Sequence, residues 1–98
     1  MKTTVHAVNF TIDAKLVEFV HEKMQKLEKY YDKVIASDIF LKVEKTSDKE
    51  NKLVEVKILV PGDEFIVKKQ CKSFEEAVQQ ATDSLEIQLI KTKEKRKE

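Results

Sequence analysis

At 98 residues, 38% charged and 41% apolar, the chain suits one folded domain with one core and excludes two. Nineteen basic residues against eighteen acidic ones leave a formal net charge of +1, so overall charge selects no partner and only the placement of charges can do so. The single cysteine excludes an internal disulfide, and no apolar run nears the ~20 residues of a membrane span.

In chain order, the opening segment alternates, with Thr3, Val5 and Ala7 on one face, and predicts a strand. From Ala14 to Tyr31 the period changes: Leu16, Phe19, Val20, Met24, Leu27 and Tyr30 recur at three and four residues, which places them on one stripe of a helix. Asp13 stands where an N-cap would accept the free amides of the first turn. Ile39, Leu41 and Val43 alternate with Phe40, Lys42 and Glu44 as a second strand, and the polar stretch Thr46-Ser-Asp-Lys-Glu-Asn-Lys52 is expected as an exposed loop. Val54, Val56, Ile58 and Val60 alternate with Glu55, Lys57 and Leu59, and Phe65 and Val67 alternate with Glu64, Ile66 and Lys68. Between these two strands lie the only proline and glycine, Pro61-Gly62, the signature of a type II turn. Ser73-Phe-Glu-Glu76 is a capping box, and Phe74, Ala77, Val78, Ala81, Leu85 and Leu89 form the buried stripe of the helix it opens.

The order β-α-β-β-β-α predicts an α+β fold, a four-stranded mixed sheet with two helices packed on one face and the first helix crossing between parallel strands. Residues 1–98 form one domain, with 92–98 a basic, frayed tail. The start, Met1-Lys2-Thr3-Thr4, has no apolar core behind it to make a secretory leader, so a cytoplasmic location is expected.

Signs of catalysis are absent. His6 and His21 lack the partner spacing of a zinc site or a proton relay and read as surface histidines, His6 on the sheet face away from the helices. Cys71 has the parity of a packed thiol, and one glycine cannot build a phosphate loop. No catalytic residue, metal site or cofactor is expected. The lysines are more informative. Lys15, Lys26, Lys29 and Lys33 follow one flank of the first helix, and Lys23 projects close to the middle of its apolar stripe, so that its stem is expected on the core and its ammonium at the edge. The last ten residues hold five cations, Lys91, Lys93, Lys95, Arg96 and Lys97, against two anions. If the helices lie side by side, flank and tail could form one basic surface for phosphate; the alternative is a helix end whose cations answer its dipole. Ile87 and Ile90 fall opposite Leu85 and Leu89 and are expected to be exposed, as isolated surface residues or as a small protein contact.

Glu18-Phe-Val-His-Glu-Lys-Met-Gln-Lys-Leu-Glu-Lys-Tyr-Tyr-Asp-Lys-Val34 closely resembles the first-helix signature of the ribosome hibernation-promoting factors, the family of ribosome-associated inhibitor A, also called the sigma-54 modulation protein family. Asn9-Phe10, Val43-Glu44-Lys45 and Pro61-Gly62 resemble further landmarks, and the likeness spans nearly the whole chain, in the short form without the added C-terminal dimerisation domain. The resemblance implies a β-α-β-β-β-α fold and binding to the small ribosomal subunit, in the messenger and transfer RNA channel at the decoding centre, where helix cations contact 16S-type ribosomal RNA and translation is inhibited. Lys23, Lys26, Lys29 and Lys33 carry over to the basic positions of the first helix. In the second, where many relatives read Lys-Leu-Glu-Arg-Gln-Leu-Arg-Lys, this chain reads Ser84-Leu-Glu-Ile-Gln-Leu-Ile-Lys91, so only Lys91 remains of four cations, and Glu75 replaces a common tyrosine. The expected RNA-binding residues are therefore Lys23, Lys26, Lys29, Lys33, Lys91, Lys93, Lys95 and Arg96. The competing expectations are a protein-interaction module, such as a homodimer through Ile87 and Ile90, and a free double-stranded RNA binder.

Overall fold

The two periodicities of the sequence become two layers. In the computed structural model, which describes residues 2–44 and 50–95, strand β1 (Lys2–Val8) pairs parallel with β2 (Ala36–Val43). Strand β3 (Lys52–Val60) pairs antiparallel with β2 and with β4 (Asp63–Cys71), giving the sheet order β1-β2-β3-β4. Helix α1 (Ala14–Glu28) is the crossover between the parallel strands, and α2 (Phe74–Lys95) follows β4. This is the expected β-α-β-β-β-α mixed sheet with its two helices. Since β4 runs parallel to β1, both helices leave their strands in the same sense and run side by side in one direction, α2 over β3 and β4.

The alternation of β-branched residues decides which side of the sheet meets the helices. Ile39, Leu41, Val54, Val56, Ile58 and Val60 are essentially inaccessible, as are Val20, Ala77, Ala81, Leu85 and Leu89 from the helices. Truncating such a residue, for example Leu85→Ala, costs about 2–5 kcal/mol. Two buried polar groups are satisfied locally: Ser37 donates to the Thr3 hydroxyl at 3.2 Å, and Thr82, absent from the predicted stripe, donates to the Val78 carbonyl at 3.0 Å.

Local chemistry sets the element ends. Asn9 takes a left-handed φ of 67°, a conformation asparagine tolerates, and ends β1. Phe10 then stacks on Phe74 with ring centroids 4.7 Å apart, tying the entrance of α1 to that of α2. The Asp13 carboxylate accepts from the amides of Lys15 and Leu16 at 2.6 and 3.3 Å, and Ser73 accepts from the Glu76 amide at 3.2 Å. Gly62, with φ +78°, supplies the positive angle of the β3–β4 turn.

Several details differ from the sequence reading. Helix α1 ends at Glu28 rather than Tyr31, and its last amides bond three residues back, Lys29 to the Lys26 carbonyl and Tyr30 to that of Leu27. Tyr31, not Tyr30, enters the core. Both satisfy the helical spacing from Leu27, but Tyr31 continues the line of Val20, Met24 and Leu27, whereas Tyr30 falls on the flank facing α2. Ala7, at the free edge of the sheet, is exposed. The stretch expected as a tail from residue 92 is helical as far as Lys95, and residues 96–98 lie outside the described residues. Of the expected loop, 46–49 also lie outside them, and Lys52 already belongs to β3. No helix among the described residues is long and apolar enough to cross a membrane.

Candidate nucleic-acid interface

The two sides of the molecule differ in how their charges are paired. On the open face of the sheet the charges are paired across or along strands. Lys57 meets Glu64 at 3.5 Å, Lys68 meets Glu55 at 3.4 Å, Lys42 meets Glu44 at 3.9 Å, and the His6 imidazole meets the Asp38 carboxylate at 3.2 Å while stacking on Phe40. Partly exposed pairs of this kind add little stability, but they cancel charge. Between them Val8, Phe40 and Leu53 line a largely apolar groove of about 270 Å³, rimmed by Lys42, Glu55 and Lys68.

The helical side is different. No ion pair seen among the described residues involves Lys15, Lys23, Lys26, Lys29, Lys33, Lys91, Lys93 or Lys95. Lys23 is half-buried with its ammonium 5.5 Å from the centroid of the Phe19 ring, one turn back, so its stem covers the core and its charge is held at the edge by the ring's negative face. Lys26 is exposed in the last turn of α1, Lys29 is the C-cap, and Lys33 is exposed in the loop beyond. Lys91, Lys93 and Lys95 are exposed on the last turns of α2, past Leu89, its last buried residue. Arg96 lies outside the described residues. Because the helices run in the same direction, their carbonyl ends share one end of the molecule, and Lys26 together with Lys93 and Lys95 lies in the terminal turns, where cations complement the dipoles.

The basic residues do not form one unbroken surface. Between the helices lies a groove of about 130 Å³ with the buried Leu27 and Thr82 at its base. Lys23, Lys26 and Tyr30 form the α1 wall, but α2 contributes Gln79, Asp83 and Glu86 rather than cations. The Tyr30 hydroxyl faces the Glu86 carboxylate, which as hydrogen-bond acceptor and then as nearby charge raises the phenol's pKa. Gln79 donates to Asp83 at 2.8 Å. Further along α2, Ile87 and Ile90 are 55% and 38% exposed, and they precede the lysine cluster. Sequence reading missed the groove. Its only local signal is the spacing of Asp83 and Glu86, one helical turn apart on α2.

Comparison with known proteins accounts for both the topology and the helix motif. The family described as sigma 54 modulation protein / S30EA ribosomal protein matches residues 3–97. The ribosome hibernation promoting factors of Pseudomonas putida and Azotobacter vinelandii are each 28% identical over 95 residues, covering 97% of this chain and 89% and 85% of theirs. A ribosomal subunit interface protein from Coxiella burnetii has a similar fold, with TM-score 0.84 at 20% identity, covering 96% of this chain and 99% of that one. So does the Protein Y N-terminal domain of Thermus thermophilus, with TM-score 0.81 at 20% identity over 94% and 99%. The extent of the family match, set on the architecture described above, leads to one conclusion: the chain belongs to the sigma 54 modulation protein / S30EA ribosomal protein family.

Proposed function

We propose that the protein is a noncatalytic, cytoplasmic ribosome-binding hibernation factor that occupies the decoding-centre channel of the small subunit and inhibits translation by excluding messenger and transfer RNA. The observation that carries this reading is the pairing of charge: ion pairs cancel charges on the sheet side, while no ion pair seen among the described residues involves the lysines of α1 or of the end of α2. Unpaired ammonium groups on a rigid frame suit the phosphates of ribosomal RNA, where each contact releases counterions and needs no base-reading geometry. Family membership and the hibernation names of the relatives support the same reading.

The test is sedimentation of purified protein with empty ribosomes through sucrose at low and moderate salt. The protein is expected in the ribosomal fraction at low salt and increasingly free as salt rises. Recovery in the free fraction under both conditions removes the proposal. A second reading is favoured by the exposure of Ile87 and Ile90, an apolar step on α2 where a protein partner or a second copy could sit. A dimer in light scattering that Ile87→Lys splits, without any affinity for ribosomes, would make that contact the main function.

A further inference from the structure

The groove between the helices poses an electrostatic problem for any phosphate-binding surface. Asp83 and Glu86 lie across from Lys23 and Lys26. Yet each carboxylate faces a neutral donor, Asp83 the Gln79 amide on its own helix and Glu86 the Tyr30 hydroxyl across the groove, and no ion pair seen among the described residues involves either. Gln79 thus holds the Asp83 carboxylate in place, and both carboxylates keep accepting capacity, since an ionised carboxylate offers about four acceptor sites. Such acceptors repel phosphate, which has no donor to offer them. In RNA the donors are the amino and imino groups of the bases and the 2′-hydroxyl.

We infer that the α1–α2 groove receives one unpaired RNA nucleotide whose base carries donor groups, guanine above the others, with its phosphate on Lys23 and Lys26 and its base edge on Asp83 and Glu86. Guanine presents an imino and an amino donor side by side on its Watson–Crick edge, which matches the two oxygens of a carboxylate. Uracil presents one imino donor and no amino group. The edge is free only when the base is unpaired, so duplex RNA is excluded from the groove while its backbone can still meet the outer lysines. Tyr30, 39% exposed beside the groove, offers a ring for the base to stack on. This assignment rests on the ribosomal-RNA reading above and adds to it a preference for a particular nucleotide.

The experiment measures fluorescence anisotropy at low salt with a short labelled oligouridine and with the same strand carrying one central guanosine. The guanosine strand is expected to bind about fivefold more tightly, the low end for a paired hydrogen-bond contact to a base. Placing that guanosine in a hairpin stem should remove the gain. In Asp83→Ala/Glu86→Ala the two strands should bind alike, with the affinity for oligouridine increased because two negative charges are gone. Asp83 is exposed and Glu86 half-exposed, and unchanged circular dichroism melting would exclude misfolding; should the double variant melt early, Asp83→Asn alone carries the test. Equal binding of the two strands by the natural protein overturns the inference, as does no binding of either, or a guanosine preference that survives in the variant. Ribosome sedimentation run in parallel separates the two ideas: a protein that sediments with ribosomes but ignores guanosine loses the groove assignment alone.

Discussion

Cys71 and Tyr30 show how one residue's surroundings set its chemistry. Cys71 is 3% exposed at the end of β4, and burial first, then the carboxylates of Glu76 and Glu50, push its thiol up against a smaller opposing effect of Lys69. Since the thiolate is the reactive species, iodoacetamide at neutral pH should label the native protein at least about tenfold more slowly than the denatured one. Equal rates would contradict the packing described. Tyr30 depends on a partner. A phenol that holds its proton more tightly folded than unfolded favours the fold below its ordinary value of 10.0, and this contribution fades as pH climbs through the folded value. Tyrosinate absorbance should therefore locate the Tyr30 titration above 10.0, and Glu86→Gln should bring it back down, with Tyr30→Phe identifying the signal. The alternation of β4 foretold the fate of Cys71. Nothing local to Tyr30 could foretell its own, because its partner sits 56 positions away on another helix.

At the scale of elements, stability divides between caps and the buried stripe. Asp13 accepts from two amides at the start of α1, so Asp13→Ala should cost about 1 kcal/mol. In a domain of this size that lowers Tm by about 4–8 °C, as thermal circular dichroism would record. A fall below about 1 °C would mean that the Phe10–Phe74 stack holds this end without the cap. Strands, helix starts and the hairpin turn were all readable, because period two, period 3.6, Asp13, Ser73 and Pro61-Gly62 are local signals. The inter-helix groove was not. Which α2 residues face Lys23 and Lys26 is decided by how far the two helices slide along one another, and that offset comes from core packing rather than from either helix alone.

For the whole molecule, the arrangement of charge matters more than its sum. The expected RNA-binding lysines could be named from the sequence, but that no ion pair among the described residues involves them could not, since pairing on the sheet face depends on strand register such as Glu55 opposite Lys68. Replacing Lys26, Lys29 and Lys91 together with Glu should abolish sedimentation with ribosomes while leaving the melting curve in place, because all three are exposed. Replacing any one of them with Ala should lower the slope of log affinity against log salt by about one if it touches a phosphate. An unchanged slope would move that residue off the contact surface.

The self-cancelled β-sheet has a consequence for crowding on a polyanion. On the proposed reading, a molecule captured by its helices would turn a near-neutral back to the solvent, which would attract no further RNA strand and offer no field to draw in another copy. Coverage should accordingly stop at a single layer, with titrations that saturate sharply instead of creeping upward.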